Sequence, residues 1–209
     1  MYIFSYIWDM KSVAYPIESH PLKPFLPDGA RLLMLGSFPP KRERWSMDFF
    51  YPNFQNDMWR IMGHIFYGDK HIFESRNERR FDKASIVEFC RENGIALYDA
   101  ASEVCRLKDN ASDKFLEIVT ATDIAALVAQ LPLCGAIVTT GEKATEAVAA
   151  AIGCEKPLVG AFVEVVFAER KMRFWRMPSS SRAYPMAVEK KADVYRKMLF
   201  TEGLLKEKN

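Results

Sequence analysis

The sequence predicts an α/β protein, a three-layer α/β/α sandwich on a mostly parallel central sheet. Three observations carry that expectation. Leu32–Leu35 and Ile95–Tyr98 are short, continuous apolar runs, as expected of strands buried on both faces. Other segments place apolar residues at the i, i+3, i+4 and i+7 spacing of amphipathic helices. The two kinds alternate along the chain, the order a parallel sheet with crossover helices requires.

The elements follow in order. Residues 1–30 hold Pro16, Pro21, Pro24 and Pro27 and read as an N-terminal arm packing on the body, with 31–209 a single α/β domain. The first strand, Leu32–Leu35, ends at Gly36, and Pro39 and Pro40 forbid strand or helix beyond it. Asn56-Asp57 opens a helix with Met58, Ile61, Met62, Ile65 and Phe66 on one stripe, stopped by Gly68. Lys83–Glu92 is a short helix closed by Asn93-Gly94, and Ile95–Tyr98 is a strand ending at Asp99. Residues 100–112 read as a long loop. Thr122–Leu131 is a helix halted by Pro132. Ala136–Thr140 is a strand that Gly141 passes straight into a helix over Glu142–Ile152. Phe162–Phe167 and Phe174–Met177 are further strands, and Pro185 leads into a closing helix over Met186–Phe200.

Composition narrows the function classes. A chain of 209 residues, 49% hydrophobic and 27% charged, is an ordinary globular domain with a real core. Its four cysteines, Cys90, Cys105, Cys134 and Cys154, are widely spaced with no Cys-x-x-Cys pair or neighbouring histidine. That argues against zinc or an iron–sulfur cluster and for reduced thiols in the cytoplasm. No apolar run reaches membrane-spanning length, and Met1–Asp9 lacks the basic start and cleavage site of a secretory signal. No membrane partner is expected, and the expected state is a monomer. Glu169–Lys197 holds nine Lys/Arg against three Asp/Glu, which suits either one cationic face for a polyanion or a solvated terminal helix.

Three loops leave strand ends on what should be one edge of the sheet, where open α/β sheets place their ligand crevices. The first is Gly36-Ser-Phe-Pro-Pro40, followed by the run Phe49–Trp59 with three consecutive aromatics (Phe49, Phe50, Tyr51) and three amides (Asn53, Gln55, Asn56). Aromatics offer stacking faces, and amides donate to and accept from a base edge. The same run also suits a hydrophobic plug capping the next helix. The second loop is Thr139-Thr-Gly-Glu142. The third, Met177–Pro185, is rich in hydroxyls that can bond a phosphate, or is a plain turn with a serine N-cap. A serine hydrolase built on Ser37 fails, because Gly-Ser-Phe-Pro is not the Gly-x-Ser-x-Gly elbow. No phosphate-cradling Gly-rich loop of known spacing is present either.

Taken together, the three loops resemble the uracil-DNA glycosylase superfamily, most closely its mismatch-specific and hypoxanthine (deoxyinosine) branches. Gly36-Ser-Phe-Pro39 is similar to the family's Gly-x-(Asp/Asn)-Pro first motif. Pro52–Trp59 resembles its His-Pro-x-Asn-x-Phe-Trp segment, with extra residues before Asn56. Met177-Pro-Ser-Ser-Ser181 resembles its last motif, and Gly94–Asp99 and Val138–Ala144 its middle strands. The resemblance spans about residues 31–199 in the same order.

It implies a DNA-repair hydrolase that cleaves the N-glycosidic bond of a flipped-out deaminated base, uracil or hypoxanthine, without metal or redox cofactor. Phe38 stands where the family's water-positioning Asp or Asn usually lies. In the hypoxanthine-type branch the asparagine before Phe-Trp takes that role, which points to Asn56, with Asn53 its rival. By the same resemblance Phe49 or Phe50 stacks on the base. Gly36, Ser37 and Phe38 present backbone groups, and Tyr51 and Thr140 complete the pocket. Ser179, Ser180 and Ser181 grip phosphates, and Arg182 or Tyr184 fills the hole left in the duplex. The alternative is a catalytically silent nucleic-acid-binding or damage-sensing module on the same fold, motivated by Phe38.

Overall fold

The structure, a computed structural model, describes residues 15–107 and 115–206. The first part of the expected arm (1–14), the far end of the expected 100–112 loop (108–112) and residues 207–209 lie outside those bounds. The strands are β1 (Ile17–Ser19), β2 (Leu32–Gly36), β3 (Ile95–Asp99), β4 (Ala101–Arg106), β5 (Leu116–Ala121), β6 (Ala136–Thr140), β7 (Ala161–Phe167) and β8 (Arg170–Met177). The helices are α1 (Met58–Tyr67), α2 (Lys83–Glu92), α3 (Ile124–Ala129), α4 (Glu142–Ile152) and α5 (Val188–Thr201).

The main sheet runs β3-β2-β6-β8-β7. Its first four strands are parallel, and β7 returns antiparallel on β8. Every residue of β2, β3 and β6 is buried, as strands covered on both faces must be, although β3 ends the sheet and its outer edge is flanked, among the described residues, only by the Phe25–Leu97 bridge. Only edge strand β7 alternates between more and less exposed residues. α2 packs on β3, α4 on β6, and α5 on both β8 and α1. The α/β architecture with a mostly parallel sheet is as expected. The core holds Trp59, Phe89, Phe174, Trp175 and Tyr195, all at most 2% exposed. Burying aromatic surface on this scale is the main driving force for the fold.

A second sheet, β1-β4-β5, is antiparallel throughout and was not expected. Residues 101–106 are strand, not loop. Register shifts on either side of Glu103 interrupt the β4–β5 ladder, and only Ala101 and Val104 of β4 are buried. A bulge of this kind destroys the period-2 alternation by which a strand is recognised. Two helices are shorter than their apolar patterns: α3 starts after Asp123, whose carboxylate accepts from the Ala126 N–H, and α5 starts after Ala187.

Parallel pairing decides where the loops emerge. Gly36 lies level with Asp99 across β2–β3, and Thr140 with Met177 across β6–β8, so four strands end on one edge. The loop after β8 is tied down from below. The hydroxyl of Tyr195 on α5, fully buried, donates to the Pro178 carbonyl at 2.8 Å. Replacing Tyr195 by Phe keeps the packing and leaves that carbonyl unpaired. It should lower the unfolding free energy by about 1–3 kcal/mol in urea titration; an unchanged midpoint would show that the bond adds nothing.

Candidate active site

A cleft of about 540 Å³ opens over this strand edge. The loop after β2 supplies Gly36, Ser37 and Phe38, and the run before α1 supplies Tyr51, Asn53 and Asn56. Thr140 comes from β6, and Ser179 to Arg182 and Tyr184 from the loop after β8. The structure therefore gathers twelve of the fourteen residues singled out from sequence along one cleft.

Phe49 and Phe50 are the two it leaves out. Both are core residues, 7% and 3% exposed. Phe49 packs edge-on against Phe25 and Phe50, and the Phe50 carbonyl accepts from the Trp59 indole at 3.1 Å. The pair is the hydrophobic plug of the alternative reading. The aromatic that turns into the cleft is Tyr51, at φ 51, in the left-handed region a non-glycine residue seldom adopts. Its hydroxyl bonds the Thr140 hydroxyl at 3.1 Å. Burial, and then the nearby charge of Asp99, push its phenol well above the ordinary range, so it stays neutral.

Phe38 is turned the other way, into the small core formed with Ala101, Val104 and Leu116 of the second sheet. Its ring meets His20 edge-on at 5.1 Å and the Arg106 guanidinium at 5.6 Å. Arg106 also donates to the Pro39 carbonyl at 2.7 Å and pairs with Glu18. Phe38 and Arg106 thus fasten the first loop to the second sheet.

The two asparagines differ in how they are held. Asn53 accepts the Gln55 N–H in a local turn. Asn56 accepts the Met58 N–H at 2.9 Å at the mouth of α1, and its backbone forms a bridge with Ser181. That bridge, with the Asp57 N–H donating to the Ser180 carbonyl at 2.8 Å, joins the amide run to the serine loop. Beneath it lies the carboxylate of Asp57, 3% exposed. It accepts from Arg182 at 3.0 Å and from the fully buried Lys191 at 3.2 Å, while Lys191 also donates to the Ser181 carbonyl at 2.8 Å. Ser179 Oγ accepts the Ser181 N–H, and Ser181 Oγ accepts the Ala183 N–H, both at 3.2 Å.

Of the basic segment, Arg170, Arg173, Arg176, Arg182, Lys191 and Arg196 all bond carbonyls or carboxylates of the protein itself. The basic side chains that line the cleft are Arg44 and Arg182. The sequence leaves Lys41–Arg44 either along phosphates or solvated, and the structure puts Arg44 at the cleft; sequence reading missed the Asp57–Lys191 pair, and Asp99 with its partner His20. The only sequence signal for Asp99 was that it ends a buried strand. Burial holds the Cys134 thiol up at about 11, and Cys90 higher still, so neither is poised as a thiolate. Among the described residues there is no cluster of three or more metal-ligating side chains, and no helix is long and apolar enough to cross a membrane.

Comparison with solved structures finds the solution NMR structure of a putative uracil DNA glycosylase from Methanosarcina acetivorans. It matches with a TM-score of 0.58 and 20% identity, over 88% of this chain and 99% of that one. The fold is uracil-DNA-glycosylase-like. No family model and no curated protein matches the sequence. In this uracil-DNA-glycosylase-like frame the Asp57 pair is the hinge of the site. Asp57→Ala should cost about 3–5 kcal/mol by stranding the Lys191 ammonium, whereas Asp57→Leu with Lys191→Met should cost less. Urea unfolding of the three proteins measures the difference.

Proposed function

We propose that the protein is a monofunctional DNA N-glycosylase acting on a deaminated base, uracil or hypoxanthine, rotated out of the helix into the cleft. The observation that carries this reading is the convergence of an aromatic ring (Tyr51), a carboxamide (Asn56) and a hydroxyl-lined loop (Ser179–Ser181) on one cleft. The structurally similar Methanosarcina acetivorans protein is described as a putative uracil DNA glycosylase, which supports the same reading. The cleft's volume lies in the usual range for small-molecule pockets.

Each part has work suited to its chemistry. Tyr51 gives the extruded base a stacking face, an interaction worth about 1–3 kcal/mol per base. Both target bases carry adjacent carbonyl and N–H groups, and a carboxamide complements that edge with an acceptor and two donors. Asn56 presents such a group from a fixed turn at the start of α1. As the C1′–N bond breaks, negative charge gathers on the departing base, and donors already in position stabilise it without reorganising. The Ser179 and Ser181 hydroxyls and the Arg44 guanidinium, which line the cleft, would bond backbone phosphates beside the extruded nucleotide. Arg182 is folded back on Asp57, so Tyr184 is the better placed to occupy the vacated space in the duplex.

The test is release of base from oligonucleotides carrying one uracil, hypoxanthine or xanthine, read as alkali-induced strand breaks. Breaks are expected with uracil or hypoxanthine. Their absence on every substrate would leave the silent binding module, the role Phe38's burial among apolar neighbours would permit. Asn56→Ala should lower the single-turnover rate by roughly 10²–10³-fold, as removal of one preorganised donor does elsewhere. DNA affinity, measured by fluorescence anisotropy, should stay within about threefold.

A further inference from the structure

We infer that Asp99, held by His20, is the carboxylate that positions and deprotonates the hydrolytic water, in place of the first-loop residue that Phe38 has displaced. The inference rests on the glycosylase reading above and adds a residue that reading did not contain.

Four observations carry it. Asp99 is the only carboxylate among the described residues lining the cleft. The β2–β3 register sets it beside Gly36, the last residue of β2, and a Cβ built on Gly36 would overlap Asp99 Oδ1 while meeting the Tyr51 ring at 3.7 Å. A glycine is therefore required at the cleft floor so that a carboxylate oxygen and the stacking ring can meet over one point. Asp99 Oδ2 is engaged elsewhere, bonded at 2.9 Å to Nε2 of His20, whose side chain is 2% exposed while that of Asp99 is 10% exposed. Finally, the strand end itself is pinned, because Thr122 Oγ1 donates to the Asp99 carbonyl at 2.7 Å. One oxygen is fixed by a buried imidazole and the other is turned to the floor beneath the base.

The step balances without any further reactant. The water oxygen bonds to C1′ as the C1′–N bond breaks, and that bonding pair leaves with the base as an anion. One water proton passes to Asp99 Oδ1 and from there to the departed base or to solvent. His20 does not touch the reacting atoms. It is a positioning residue that fixes the carboxylate plane.

Single-turnover base release from a duplex with one uracil or one hypoxanthine tests this, alongside anisotropy for affinity and thermal unfolding for integrity. Asp99→Asn should lower the rate by about 10²–10⁴-fold, the usual yield of a positioned proton acceptor, with affinity within about threefold. His20→Phe should also slow the reaction, and His20→Gln, whose amide still donates to Asp99, should restore most of the rate. A folded Asp99→Asn protein working at the wild-type rate, or losing rate only in proportion to affinity, overturns the inference and leaves the glycosylase reading standing. If Asp99→Asn does not fold, His20→Phe decides, and an unchanged rate there is equally fatal. Wild-type protein that releases no base defeats both readings together.

Discussion

The amide run, the serine loop and α5 meet at the carboxylate of Asp57. It sits one residue before α1, where a side chain would normally cap the helix, yet it makes no capping bond and reaches instead to Lys191 of α5 and Arg182 of the serine loop. Asn56 takes over the capping, accepting the Met58 N–H. Three segments distant in sequence are thereby drawn to one point. Burying such charges costs several kcal/mol per ion before their attraction offsets it, so a pair of this kind adds little net stability over a well-packed apolar one. What it contributes is placement: Lys191 satisfies both the Asp57 carboxylate and the Ser181 carbonyl, and that holds only when the serine loop lies in one position.

The two sheets divide the labour. The parallel sheet sets the level of the strand ends through backbone register, which side chains cannot alter without unpairing a strand. The small antiparallel sheet brings no residue of its own strands to the cleft. It carries His20 on the connection after β1 and holds the first loop through Phe38 and through Arg106 bonded to the Pro39 carbonyl. A loop with two consecutive prolines and both flanks fastened has little conformational freedom left to lose when a ligand arrives.

Much of this was legible in the chain. The apolar runs of β2, β3 and β6 and the stripe of α1 are strong local signals, and the three loops were correctly assigned to one edge. What escaped depends on tertiary context. Nothing in Phe49-Phe-Tyr51 marks the third aromatic as the one that turns out; a positive φ at Tyr51 sends successive side chains to different places. Asp99 read as a strand terminus because its meaning depends on Gly36 in the adjacent strand. Composition counts charges and not their partners, so the bonds that Arg170, Arg173, Arg176, Arg182, Lys191 and Arg196 make to carbonyls and carboxylates of the same protein were not legible. β4 was hidden by its bulge.

The hydrogen bonds within the serine loop also set what that edge of the cleft can hold. A hydroxyl has one proton and two lone pairs. In Ser179 and Ser181 a lone pair is already occupied by a backbone N–H of the loop, so each still has its proton to give. The turn thus offers two uncharged hydroxyls, each with a proton for an anionic oxygen and one lone pair left over. A neutral hydroxyl bonding an anionic oxygen brings no charge of its own, in contrast to lysine or arginine, so these two contacts taken alone depend less on ionic strength than any made by the cleft-lining Arg44.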